Sequence, residues 1–205
     1  MYIEPTSERK LIIVEGMDSV GKDTQIKRIT SHYRDDIFHT LHYHAIKGRT
    51  NEQARKLSEE TYNDMLHICS LLSRTNIILN RSHYGEYVYG KLYRDYADPE
   101  YVFNLDLRHV ELLKSAKLII LVNSDFDELL RREDGDSLSQ GQAQYSTFCM
   151  SLELDRFKIV YDLSIAGNKM WFDVRGLSID QIAKRIATWL DGCYDSTNND
   201  SSISS

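Results

Sequence analysis

Little in this chain is of a kind that staples, anchors or interrupts structure. Only three of its 205 residues are cysteine, Cys69, Cys149 and Cys193, odd in number and far apart. They form neither a disulfide framework nor a metal-binding pair, and read as free thiols in a reducing compartment. Two prolines and no low-complexity linker leave the body uninterrupted. No apolar run approaches the roughly 18 residues of a membrane-spanning helix, and the opening residues carry no signal-peptide pattern, so a cytoplasmic protein without a membrane partner is expected. Basic charge is short too. The 25 Lys and Arg against 31 Asp and Glu give a net charge of −6, which argues against a non-specific nucleic-acid binder while leaving room for a local basic cleft. Length and composition suit one domain, expected over residues 1–194 after a polar lead-in, with the Asn- and Ser-rich 195–205 a frayed tail.

What the chain does have is Glu15–Gln25, Glu-Gly-Met-Asp-Ser-Val-Gly-Lys-Asp-Thr-Gln. Before it, Leu11-Ile12-Ile13-Val14 is a short β-branched run of the kind that forms a strand buried on both faces. After it, Ile26, Ile29 and Tyr33 recur at helical spacing, so a helix should start near Lys22. Strand, glycine loop and helix in that order turn a Gly-x-x-x-x-Gly-Lys pattern into a phosphate-binding loop. Gly16 and Gly21 let the backbone curl so that successive amides face an anion, and Lys22 and the helix N-terminus add positive charge. The residue after the lysine is ordinarily Ser or Thr, a magnesium ligand. Here it is Asp23, with Thr24 behind it. A carboxylate can ligate magnesium, directly or through water, but it also repels phosphate, and a degenerate, weakly binding loop is the bland alternative.

Further along, strands are expected at Thr40–Ile46, Asn76–Leu79, Leu118–Val122 and Met170–Val174. Leu57, Thr61, Met65, Cys69 and Leu72 mark one helix and Leu107–Ala116 another. Ser124 can cap a helix ending at Arg131-Arg132. The polar, glycine-flanked 133–141 suits a mobile loop. Tyr145, Phe148, Leu152 and Val160 trace a long helix, and Ser178-x-x-Gln181 is a capping box opening a last one. Strands alternating with helices imply an α/β fold, a five-stranded parallel sheet with helices on both faces. Ligands then bind beyond the carboxyl ends of the strands, at Gly16–Thr24, Lys47–Arg49, Asn80–Arg81, Asn123 and Arg175. Four of those five places carry Arg or Lys, which suits a phosphate-rich ligand.

The stretch Val14–Gln25 resembles the Phe-Glu-Gly-x-Asp-Gly-x-Gly-Lys-x-Thr-Gln loop of thymidylate kinases. Asn80-Arg81-Ser82, followed by Gly85 and Val88-Tyr89, is similar to that family's Asp-Arg-Tyr-x-x-Ser-x-x-Ala-Tyr segment. Gly85–Gly90 with Leu92-Tyr93-Arg94, and the Gly-Lys-Asp-Thr form of the loop, resemble phage-encoded members. The resemblance spans roughly residues 10–190 and implies a three-layer P-loop kinase fold, ATP and Mg2+ as cofactors, nucleotides as small-molecule partners, and a homodimer. By position, Gly16, Ser19, Val20, Gly21, Lys22, Asp23 and Thr24 would hold the ATP phosphates. Asp23 would take the metal, Asp18 the acceptor's 3′-hydroxyl, Arg81 the acceptor phosphate, and Tyr89 the deoxyribose face. Arg131 and Arg132 sit where a lid, about residues 131–141, supplies catalytic arginine. Lys47 and Arg49 lie where the family has another acceptor-side arginine.

Each of these has a plainer reading. Arg81 alone could be a surface ion pair, Arg131-Arg132 a solvated helix end, and Tyr84, Tyr87, Tyr89 and Tyr93 mostly packing. The seven histidines, His39, His42 and His44 among them, show no ligand spacing and read as strand and surface residues. Asn80 is the informative departure. A nucleoside kinase needs a carboxylate there as base for a neutral 5′-hydroxyl, whereas a monophosphate acceptor arrives ionised. Asn80 therefore points to phosphorylation of a deoxynucleoside monophosphate, dTMP or a modified pyrimidine deoxynucleotide, to the diphosphate. The loss of negative charge at Asn80 and its gain at Asp23 are expected to compensate. A deoxynucleoside kinase, a kinase of a hydroxymethylated base in DNA, and a catalytically dead nucleotide-binding protein are the alternatives.

Overall fold

The computed structural model describes residues 10–34, 36–42, 51–132 and 147–192. The lead-in, Lys47, Arg49, the loop 133–141 and the tail lie outside them. Five strands, β1 (Leu11–Gly16), β2 (Phe38–His42), β3 (Asn76–Asn80), β4 (Lys117–Val122) and β5 (Asn168–Asp173), form one sheet in the order β2-β3-β1-β4-β5. Every pairing is parallel, as expected. The helices are α1 (Lys22–His32), α2 (Asn51–Leu71), α3 (His83–Gly85), α4 (Lys91–Tyr93), α5 (Tyr101–Arg108), α6 (Val110–Lys114), α7 (Phe126–Arg132), α8 (Thr147–Leu163) and α9 (Ile179–Leu190). A π-helical turn, Glu86–Gly90, joins α3 to α4. No helix among the described residues is long and apolar enough to cross a membrane.

All six residues of β1 are buried, and the central strands read as continuous apolar runs because helices cover both faces of the sheet. Ile12, Ile13, Ile77, Ile78, Ile119 and Ile120 are each at most 1% exposed, and each such side chain contributes about 1.5–3 kcal/mol. The chain leaves β1 for β2 and β3 on one side and returns to β4 and β5 on the other. The carboxyl end of β1 is thus the switch point where such sheets open a crevice. Register aligns its rim: Val14 is opposite Asn80, and Asn80 opposite His42.

Several elements differ from the sequence expectation. The second strand begins earlier, at Phe38, and its described part ends at His42. Leu107–Ala116 is not one helix: α5 ends at Arg108 and α6 begins at Val110, with His109 between them at φ −118°, ψ 32°. The stripe that α2 buries is Ala54, Ser58, Tyr62, Leu66 and Cys69. Leu57, Thr61 and Met65 are half-buried on its flank, and Leu72 lies beyond the helix end. Helix α8 buries Met150, Glu153, Phe157 and Val160, while Phe148 is exposed. Ser124 does not cap α7: its hydroxyl donates to Asp173 Oδ2 at 2.6 Å, and Asp125 Oδ1 accepts from Glu128 N instead. The capping box of Ser178 and Gln181 is present as read.

At the exit of β1, Gly16 adopts φ 143°, and a Cβ there would lie 2.0 Å from Leu121 O. The next amide, Met17 N, donates to that same oxygen at 3.1 Å. Gly16→Ala is expected to destabilise the protein by about 3 kcal/mol through collision and strain. Urea unfolding would show this as a lower midpoint at unchanged slope; an unchanged midpoint would mean that β4 does not confine the loop.

Candidate active site

The glycine loop is seated by its apolar residues. Met17 and Val20 are buried beneath it, so the polar residues between them turn toward the crevice mouth. Gly21 at φ 87° and Ser19 at φ 61° take left-handed conformations, and the strain at a non-glycine residue is typical of ligand clamps. No side chain caps the start of α1, which leaves its first amides and its positive dipole end available to an anion. Lys22 is buried, and its Nζ donates to Gly16 O at 2.9 Å and Met17 O at 2.6 Å. Burial first, then the Arg81 charge, lowers its pKa to about 8, with Asp18, Glu15 and Glu153 opposing.

The exit of β3 is folded against this loop. Glu15 Oε1 accepts from Ser82 N at 2.6 Å, Ser82 Oγ at 2.8 Å and Gly85 N at 3.1 Å. Burial raises its pKa, while the bonds from Ser82 favour the charged form. Arg81 N donates to Val14 O, its φ is 68°, and its Nη2 donates to Asp18 Oδ1 at 3.0 Å. Lys22 Nζ stands 3.9 Å from the same Asp18 oxygen. The other oxygen, Asp18 Oδ2, is buried without a hydrogen-bond partner. Beside them Asn80 Nδ2 donates to Asp23 Oδ1 at 2.5 Å and to His42 Nδ1 at 3.1 Å, and Asn80 Oδ1 is a buried orphan.

On the far wall, the Tyr89 hydroxyl donates to Gly16 O at 3.2 Å, and its ring lies against Tyr93 and Phe157. Tyr93 in turn donates to Glu153 Oε1. Glu153 is fully buried and its Oε2 has no partner. Burial pushes its carboxyl up to about 8, and the Asp18 charge adds to this, while the Tyr93 bond, Lys22 and Arg81 pull it down.

The structure therefore brings together Gly16, Asp18, Ser19, Val20, Gly21, Lys22, Asp23, Thr24, Arg81 and Tyr89 around one strand exit. It does not bring in the lid arginines: Arg132 pairs with Glu128 on its own helix at 2.5 Å, and Arg131 is exposed on the same turn. Asn123 sits in an asparagine turn, donating to Glu128 and accepting from Asp125 N. Arg175, with Ser124, Asp125, Phe126, Asp127 and Thr147, lines an open groove past β4 and β5. Tyr84 and Tyr87 are core residues, the first bonded to Asp106 and the second under the Arg156 guanidinium. The reading of the histidines as strand and surface residues fails at His83, while His42 is an exposed residue of β2 as expected. His83 is completely buried and bonded to Asp106 at 2.7 Å, and His42 reaches the Asn80–Asp23 pair. Glu153 was also missed; its signal is a carboxylate on the apolar stripe of Met150, Phe157 and Val160, where charge is seldom buried unpaired.

No protein-family model matches the sequence, and no curated protein matches it. The architecture, however, matches 145 solved chains. One is the thymidylate kinase of Candida albicans, which superposes with a TM-score of 0.65 at 18% identity over 91% of this chain and 93% of that one. The chain has the thymidylate kinase fold. At this identity the likeness to thymidylate kinase is one of fold: the β2-β3-β1-β4-β5 parallel sheet and its helical layers.

The Glu153 carboxyl makes stability depend on pH. Its folded pKa lies above its unfolded one, so its contribution is complete below about pH 4.5 and is lost as pH rises through about 8. Lys22, shifted down to about 8, acts with the opposite sign and only above that pH. Glu153→Gln should therefore gain about 2–4 kcal/mol on wild type between mildly acidic pH and pH 8. Urea denaturation of both proteins across that range checks it; parallel curves would show Glu153 ionising normally.

Proposed function

We propose that this chain is an ATP-dependent deoxynucleoside monophosphate kinase, with dTMP or a modified pyrimidine deoxynucleotide as acceptor. The observation that carries the reading is the placing of two cations from different strand exits on one carboxylate: Lys22 from the glycine loop and Arg81 from β3, both on Asp18. An ATP phosphate arriving at the loop would replace Gly16 O and Met17 O as partners of Lys22 and meet the amides of residues 19–24 and the uncapped end of α1. An acceptor phosphate would meet Arg81. Asp18 Oδ2, unpartnered and buried, suits a sugar hydroxyl, and Tyr89 closes the face beside it. The open groove at Arg175 suits the adenosine end of ATP.

Phosphoryl transfer asks mainly for such positioning and for charge on the equatorial oxygens. An ionised oxygen of the acceptor attacks the γ-phosphorus, and the bond to the bridging oxygen breaks with ADP as leaving group. No proton has to be removed, which agrees with an amide at Asn80 where a nucleoside kinase needs a base. The oxygen donors Asp23 and Asn80 Oδ1, the latter an orphan, fit a divalent cation. Magnesium held there with ATP would neutralise phosphate charge. Arg131 and Arg132 would add charge from the lid on closure.

The test is ADP release with ATP and magnesium against deoxynucleosides and their monophosphates. Turnover should be confined to one or two monophosphates, and Arg81→Ala should lower kcat/KM for the acceptor by about a hundredfold or more while ATP affinity holds. Turnover with nucleosides alone would overturn the monophosphate reading, and ATP binding without any turnover would favour a nucleotide-binding protein. Asp23→Ser should weaken magnesium dependence; a more active Asp23→Ser enzyme would remove the idea that Asp23 and Asn80 compensate.

A further inference from the structure

The groove beyond the carboxyl ends of β4 and β5 has a volume of about 370 Å³, within the range of small-molecule sites. It lies across the glycine loop from the β3 exit, because β3 and β4 flank β1 on opposite sides. Its rim has few groups left to offer a ligand. The backbone amides of Ser124, Asp125, Arg175, Gly176 and Leu177 all donate within the protein. The Ser124 hydroxyl is held by Asp173 Oδ2, and Asp125 Oδ1 by Glu128 N. What remains is the half-buried ring of Phe126, the exposed Asp127 and Thr147, and Arg175. The Asp127 carboxylate has no hydrogen-bond or ion-pair partner among the described residues. The Arg175 side chain is 62% exposed, and its guanidinium stands 3.8 Å from Asp173 Oδ2.

With those rim amides spent, a base entering the groove is read by side chains. A carboxylate accepts from two adjacent N–H groups, and a guanidinium fork donates to two adjacent acceptors. Guanine presents both in sequence, its N2 and N1 protons and then O6 and N7. Adenine presents one amino group between two ring acceptors and would leave each fork half used. Asparagine and glutamine, which match adenine with two bonds, are absent from the described lining. We propose that this groove reads guanine through Asp127 and Arg175, with Phe126 as the stacking face, so that GTP serves as phosphoryl donor at least as well as ATP. The inference rests on the kinase reading for the presence of a nucleotide donor and concerns only that donor's base. The transfer is otherwise the same: the acceptor oxygen bonds to the γ-phosphorus, and the bond to the bridging oxygen breaks with GDP as leaving group.

The test is equilibrium binding of non-hydrolysable GTP, ATP and XTP analogues, with Mg2+, to the full chain and to two variants at these exposed positions. The unaltered protein should bind the GTP analogue at least as tightly as the ATP analogue. Asp127→Asn offers one acceptor and one donor, which suits N1–H and O2 of xanthine and opposes the N2 amino group of guanine. Its preference should swing from the GTP to the XTP analogue by about tenfold or more. Arg175→Gln matches N6 and N7 of adenine, and should raise the ratio of ATP to GTP affinity by about tenfold or more. A GTP analogue bound more weakly than the ATP analogue by the unaltered protein, or a preference that either variant leaves unmoved, would overturn the proposal with the kinase reading intact. A protein that binds none of the three analogues would overturn both.

Discussion

A single buried carboxylate oxygen fixes the relation between the two halves of the site. Glu15 Oε1 accepts hydrogen bonds from Ser82 N, Ser82 Oγ and Gly85 N, so the chain leaving β3 is bent over the end of β1 rather than away from it. The bend has a local cost. Arg81 is held at positive φ. Without the carboxylate, two buried amides and a hydroxyl would be unpaired, at about 1–3 kcal/mol each. Those losses outweigh the strain, and the geometry of Asn80, Arg81 and the loop follows from it.

Charge in the crevice is arranged for exchange rather than for removal from water. Lys22 is already desolvated and Arg81 partly so, and their partners are a pair of loop carbonyls and Asp18. On the proposed reading a phosphate entering there would replace protein acceptors, and the cost of stripping water from Lys22 has been met on folding. The carboxyls behave in the same way. Glu153, sealed behind Tyr93, keeps its proton up to about pH 8. It therefore adds little negative potential to the crevice, and Asp18 is left as the chief counter-charge to both cations.

What was legible in the sequence was whatever local periodicity and the loop motif carry. Leu11–Val14 is buried on both faces, so it reads as a parallel strand, and the spacing of Gly16, Gly21 and Lys22 has one structural meaning after such a strand. The rule that function follows the strand ends pointed to Asp23, Asn80 and Arg81, which the fold brings together at one strand exit. It failed where a residue's meaning depends on a distant partner. Ser124 has the residue type of a helix cap, but Asp173 on the neighbouring strand outcompetes the helix for its hydroxyl. Glu153 looks like solvent-facing charge until α8 is turned by packing so that Met150, Phe157 and Val160 face the core and carry Glu153 with them. Leu57 and Met65 show the same slippage on α2, where a stripe one residue over is the one that packs.

His42 and Asn80 illustrate why sheet order had to be known first. They are far apart in sequence and become neighbours only because β2 adds outside β3. A carboxylate at Asp23 lies in the first turn of α1, where the helix dipole favours negative charge, while an amide at the strand end can donate to it, as a carboxylate could not. The result is a 2.5 Å hydrogen bond from Asn80 Nδ2 to Asp23 Oδ1.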